Sequence, residues 1–414
     1  MNKSIKNKTI INIIVLYFIY LFFYGIIIKF TIENKYLFTI KTYVPEALLI
    51  IVTIISLIST KMKINKNTAG LITYIVLMII LNYFCNGANA QSFYWWRDAF
   101  IPLGAAFALM QIDFNEVEKE YFLKKLIRLG KIFLLLGFLL AIVQQMKGYE
   151  WASRFYTGYV FYGQDEYSKV KIAHNVGMLR TPSLTGNFAT FAYYSCFSLL
   201  IILSRKNKKE NIIWILLGLA NCILSTNKSA IISIVAVLAI RYTITIRKKN
   251  KKINKIFFFM LVVTLLSFML VNSENVLSSK YTGGFFQRFD VWKDLVQNLN
   301  VLQLIIPYEM FLYGSGSEGF NSFFDNLYLY CLITQGAIGM WLWIEYIKND
   351  YKNILMNSKD NIKILTKDLM YFFLIVGLTS NVVQGHAYFS LFLIYLGFFY
   401  SFKSSGVLKE KTNG

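Results

Sequence analysis

Apolar positions run through this chain in blocks too long and too continuous for the core of a soluble domain. They recur near Ile10–Ile28, Pro45–Thr60, Ala69–Asn86, Phe93–Met110, Ile132–Met146 and Leu184–Leu203. Further blocks follow near Ile212–Leu224, Ser229–Ile246, Ile256–Val271, Phe324–Ile347, Met370–Gln384 and Tyr388–Phe402. A helix that crosses a bilayer needs ~20 largely apolar residues. These blocks predict an all-α polytopic membrane protein of about 12 transmembrane helices, in one integral membrane domain covering 1–414. Before the first block stand Lys3, Lys6 and Lys8, but the block is too long for a secretion signal and no small-residue cleavage site follows. A retained anchor is expected.

Between the blocks the pattern changes. In Asp113–Lys131 the residues Phe114, Val117, Tyr121, Phe122, Leu126 and Ile127 recur at helical spacing with charges between them, which predicts a helix lying on the inner interface. Two connections are long, 147–183 and 272–322, and both are rich in aromatics, glycine and single charges. Connections of that length are more often functional than decorative. In the second, Phe285, Phe289, Trp292, Val296 and Leu299 keep three-to-four spacing, so Gln287–Asn300 reads as a short amphipathic helix.

Composition supports this picture: 56% of the chain is hydrophobic and 17% aromatic. The net charge of +21 falls almost wholly on short segments such as 205–209 and 247–249, on the side that also holds both termini. That is the positive-inside pattern of a multi-pass plasma-membrane protein with cytoplasmic termini. A nucleic-acid partner is excluded, because it would need a dedicated basic domain or stripe. The two long loops then lie on the outer, extracytoplasmic side. Cys85, Cys196, Cys222 and Cys331 show neither metal spacing nor loop pairs and read as packing residues.

Candidate chemistry gathers at the outer side. Arg180 precedes Pro182 at a backbone break, with Ser183, Thr185 and Asn187 available to satisfy freed amides. A guanidinium held there suits a diphosphate, since it matches phosphate oxygens bidentately; the plainer reading is an arginine snorkelling to headgroups. Arg288 lies one helical turn before Trp292 and has the same two readings, its plainer one a solvated cation stacked on the indole. Asp325 can accept a proton from an attacking hydroxyl or act as a helix N-cap. Arg97, beside Trp95 and Trp96, lines a cavity or anchors the interface. Lys228 sits at the outer turn of a tight hairpin, and His386 at the last outer turn is a reserve base. Asp290, Asp294 and Glu318 give no specific metal signal. Gly314-x-Gly316-x-x-Gly319 matches a dinucleotide fingerprint in letters only, since no βαβ unit surrounds it.

Four separated patches between Arg180 and Gly339 carry a resemblance. They are Arg180-x-Pro182-x-x-x-Gly186-Asn187, then Ser225-Thr226-Asn227-Lys228-Ser229-Ala230, then Arg288-x-x-x-Trp292. The last joins Gly314-x-Gly316, Asp325-Asn326-x-Tyr328-Leu329 and Gln335-Gly336-x-x-Gly339. In order and spacing the chain resembles the O-antigen ligase/polymerase superfamily, the Wzy and WaaL type of membrane glycosyltransferase. Two positions depart from its pattern: Asp325 stands where many ligases carry His, and Lys228 where they carry Arg. The resemblance implies a GT-C-like helical bundle that works without metal or other cofactor. It further implies that Arg180 and Arg288 bind the diphosphate of an undecaprenyl-linked glycan, with Asp325 as base. Arg97, Lys228, Trp292, Asn326, Tyr328 and His386 become substrate-binding candidates. The partners expected are the lipid-linked glycan, the bilayer, and chain-length regulator and flippase proteins. A polysaccharide polymerase at the bacterial plasma membrane is the leading expectation, a ligase the nearest alternative, and a flippase the alternative of another class.

Overall fold

A backbone removed from water must satisfy its own amides and carbonyls, so apolar blocks of this length become helices. The computed structural model describes residues 3–31, 34–58, 60, 63, 65–86, 100–155, 174–175, 178–205, 208–246, 293, 301–307, 326–380 and 388–402. In chain order the helices are α1 (Lys3–Phe22), α2 (Tyr24–Thr31), α3 (Lys35–Ile58), α4 (Lys66–Asn86), α5 (Ile101–Met110) and α6 (Glu116–Phe155). A two-residue antiparallel pair follows, β1 (His174–Asn175) with β2 (Met178–Leu179). Then come a 3-10 turn (Ser183–Thr185), α7 (Phe188–Leu203), α8 (Lys208–Leu224), α9 (Lys228–Ile246), α10 (Val301–Ile305), α11 (Leu327–Asn357), α12 (Asp360–Gly377) and α13 (Tyr388–Phe399).

Apart from the β1–β2 pair, the regular structure among the described residues is helical, and four of these helices are long and apolar enough to cross a membrane: Ser4–Phe22, Lys66–Cys85, Glu116–Gly148 and Leu327–Asn357. Shorter apolar helices span Tyr43–Ile58, Ile101–Met110, Phe188–Leu203, Glu210–Leu224 and Tyr388–Phe399. The twelve expected spans are thus not all present as full-length helices among the described residues. The block near Ile256–Val271 and nearly all of the helix expected over Gln287–Asn300 lie outside them.

Three elements differ from expectation for physical reasons. The charged residues 116–131 and the apolar block after them form one helix, started by a reciprocal capping box of Asn115 and Glu118 (2.9 Å each way). Phe122, Leu126 and Ile127 are buried in the bundle, and Phe122 meets Phe398 at 4.0 Å between ring centroids, so this face packs on protein. Helix α3 begins well before its apolar block and carries Pro45 inside. Proline has no N–H to give the carbonyl four residues earlier; the Tyr20 hydroxyl of α1 donates to that Lys41 carbonyl instead, at 2.6 Å. Helix α11 breaks at Gly336 (φ 66°), where the backbone of 305–307 approaches so closely that a Cβ would lie 2.3 Å from the Ile305 oxygen. Tyr74 of α4 donates to the Gln335 carbonyl at that break, at 2.5 Å.

Helix α7 is apolar all round and buried along its length from Phe191 onward, the pattern of a central helix. Around it Phe18, Phe22, Phe133, Phe191, Tyr194, Phe197 and Tyr388 pack edge-to-face and offset. Helices α5 and α13 touch backbone to backbone, since a Cβ on Gly397 would stand 2.4 Å from the Ala106 oxygen.

Two sets of contacts mark the two ends of the bundle, one at its basic segments and one at the 179–187 loop. At the basic end Asn7 donates to Glu118 (3.1 Å), and Arg241 pairs with Asp368 while donating to the Leu203 carbonyl. Also at that end, Asn353 and Ser401 exchange two hydrogen bonds (2.8 and 3.0 Å). Gly397→Ala is expected to lower the unfolding midpoint in detergent, at a cost of about 1–3 kcal/mol for forcing two helix backbones apart. Gly104→Ala, whose Cβ meets open space, leaves the midpoint unchanged or raises it.

Candidate functional site

The loop end is organised around residues 179–187. Gln145, near the loop end of α6, treats Leu179 as a strand would: its Nε2 donates to the Leu179 oxygen (2.6 Å) and its Oε1 accepts from the Leu179 amide (3.2 Å). Gln144 Oε1 accepts from the Ser183 amide at 3.1 Å, and the Ser183 hydroxyl donates to the Gly137 carbonyl at 2.7 Å. Ser183 holds a left-handed φ of 45°, and Gly186 one of 74°. In Ser183, a non-glycine residue, that conformation persists only where the surroundings over-determine it. Asn187 then caps α7, its Oδ1 accepting from Ala189 (2.9 Å) and Thr190 (3.1 Å).

Arg180 emerges from this clamp half-buried, with its guanidinium carbon 4.7 Å from the centre of the Phe188 ring. The ring lies within cation–π range and fixes the plane of the cation. Expectation and structure differ over how the loop is held. Asn187 does cap the helix and the Thr185 hydroxyl accepts from the Asn187 amide (3.4 Å), but the Ser183 amide is met by Gln144, and the Ser183 hydroxyl serves the Gly137 carbonyl. Both glutamines escaped the sequence reading because they sit at the tail of an apolar block. Two adjacent amides in the last turn of such a block were the available signal.

Neighbouring elements tie into the same end. The Thr181 amide and hydroxyl both donate to the Leu224 carbonyl (3.3 and 2.8 Å), which joins the Arg180 loop to the α8–α9 turn. In that turn Thr226 has φ 53°, Asn227 caps α9 through the Ala230 amide (3.0 Å), and Lys228 is exposed. Ser229 donates to the Thr379 carbonyl at 3.3 Å, just after α12. From α11, Asn326 Nδ2 donates to the Leu378 carbonyl (3.2 Å) and the Tyr328 hydroxyl to that of Leu374 (2.7 Å). The cap of α11 is Asn326, whose Oδ1 accepts from the Leu329 amide, so the capping role weighed for Asp325 belongs to its neighbour. Arg180, Lys228, Asn326 and Tyr328 therefore sit on one hydrogen-bonded string of elements. Arg97, Arg288, Trp292, Asp325 and His386 lie outside the described residues.

The N-terminal helices reach this end as well, which the sequence reading did not foresee. Gly25 of α2 touches the backbone of Gly186, and a Cβ there would stand 2.3 Å from the Gly186 nitrogen. Next to it, the Tyr24 ring lies 5.2 Å from the Lys41 ammonium. Lys41 and Glu46 are each 4% exposed. Lys41 precedes the apolar run of α3, and burial pushes its ammonium down to about 8.

Beside Tyr328 a small apolar cleft runs between α11, α12 and α13; Cys331, Thr334, Trp343, Phe373 and Phe389 line it. Among the described residues no group of three or more His, Cys, Asp or Glu is placed to hold a metal ion. No family model and no curated protein matches the chain.

Gln145→Leu removes both partners of the Leu179 peptide, and an unmet buried group costs about 1–3 kcal/mol. Faster amide exchange at Leu179 and through the loop is the expected outcome, measured by hydrogen–deuterium exchange on the detergent-solubilised protein. Exchange at the basic end stays unchanged.

Proposed function

We propose that this protein is a polysaccharide polymerase of the plasma membrane, joining undecaprenyl-diphosphate-linked repeat units on the outer face. One observation carries the reading: Arg180 is half-buried in a loop fixed by side chains from another helix, at the end of the bundle opposite its basic segments. A snorkelling arginine needs no such support, whereas a leaving group carrying two phosphates needs a cation already in place. With the basic end toward the cytosol, this end faces outward.

In the proposed reaction a hydroxyl of the incoming unit attacks the anomeric carbon of the growing chain, and the bond from that carbon to the diphosphate oxygen breaks with inversion. Undecaprenyl diphosphate leaves with the bonding electron pair. Asp325 takes the hydroxyl proton, and Arg180 and Arg288 neutralise the departing charge, so the step needs no metal. Lys228, exposed on the adjoining turn, supplies a third cation. Arg97, Trp292, Asn326, Tyr328 and His386 complete the substrate contacts in this reading.

Purified protein incubated with lipid-linked repeat units is expected to lengthen the glycan and release the carrier diphosphate. A ligase would instead move finished chains to another acceptor, and a flippase would translocate the substrate intact. In cells, Arg180→Ala, Arg288→Ala and Asp325→Asn should each leave protein in the membrane and abolish long glycan chains, with single repeat units accumulating on the carrier. Normal chain lengths in an Arg288→Ala strain would remove the mechanism.

A further inference from the structure

Helix α6 does not stop at the loop end. At Gly148 (φ 77°) its backbone leaves helical geometry, and the chain resumes a helix to Phe155 in a new direction. Only glycine adopts that φ without strain, so the redirection is built into the chain. The redirected turn packs on the Arg180 loop: Ala152 (0% exposed) and Leu179 (2% exposed) form a small apolar cluster of their own, immediately before Arg180. On this turn Trp151 and Phe155 stack, with ring centroids 5.2 Å apart and planes 28° from parallel. Lys29 of α2 places its ammonium 3.7 Å from the centre of the Phe155 ring. Both aromatic residues are half-buried and Lys29 is exposed.

In an undecaprenyl-diphosphate-linked glycan the first sugar is bonded directly to the diphosphate. A side chain that reads this sugar must therefore lie beside the residue that reads the phosphates. We propose that Trp151 is the stacking platform for that sugar ring, an inference that rests on the reading of this end as a polyprenyl-diphosphate site. Phe155 is held between the indole and the ammonium, so it stiffens the platform and the indole carries the contact. The apolar face of a pyranose covers an indole well, and its hydroxyls remain free for polar partners. A tryptophan that merely anchors the protein in the headgroup region would show no dependence on the sugar.

The test uses the full-length protein in detergent and two probes: farnesyl diphosphate, and the same lipid diphosphate bearing N-acetylglucosamine. Trp151→Ala is expected to weaken binding of the sugar-bearing probe about tenfold while the sugar-free probe changes less than about twofold. Trp151→Phe, which keeps a ring, restores most of the loss and guards against a folding defect. Equal weakening for both probes, or no change for either, overturns the platform while leaving the diphosphate reading in place. Failure of the unmodified protein to bind either probe overturns that reading and the platform together.

Discussion

Inside an apolar bundle, an interrupted helix strands polar backbone groups, and each must find a partner from elsewhere. Three of the breaks described here are met in this way. Pro45 strands the Lys41 carbonyl, and Tyr20 answers from α1. Gly336 strands Gln335, and Tyr74 answers from α4. The turn between Leu179 and Phe188 receives Gln144 and Gln145 from α6 and returns Thr181 to α8. These bonds reach across the sequence, and together they fix how the helices meet.

The same requirement explains why the candidate site is stiff. A loop held only by its own turn would let Arg180 wander, and an ordering cost would then fall on each binding event. Here Ser183 and Gly186 keep left-handed conformations under restraint from α6 and α2. The cation is oriented by the fold itself, with the Phe188 ring beneath it. Below the loop the aromatic packing around α7 gives this frame a rigid floor.

Much of the helical framework was legible because apolar periodicity reports burial directly. The blocks over Ala69–Asn86, Leu184–Leu203, Ile212–Leu224 and Ser229–Ile246 reappear with ends shifted by a few residues. Ends shift where charged residues continue a helix beyond its apolar part, as Lys35 to Thr42 do for α3 and Lys348 to Asn357 do for α11. The fusion of 116–131 with the block that follows was not legible, because an amphipathic face looks the same whether it meets lipid or protein. Arg180 and the cap at Asn187 were visible as a polar cluster beside Pro182. The glutamines that hold the loop, and the approach of Gly25 to Gly186, depend on which helices become neighbours, and local patterning does not encode that.

The contact of Gly25 with Gly186 also bears on the order of assembly. The first two helices leave the ribosome long before the loop that will rest on them, while Leu224, the acceptor for Thr181, emerges later still. The arginine's cradle thus closes only once α8 has been threaded back to the loop end. Until then the growing protein carries a finished floor and an open rim, so its loop end is completed by helices inserted well after the floor was laid.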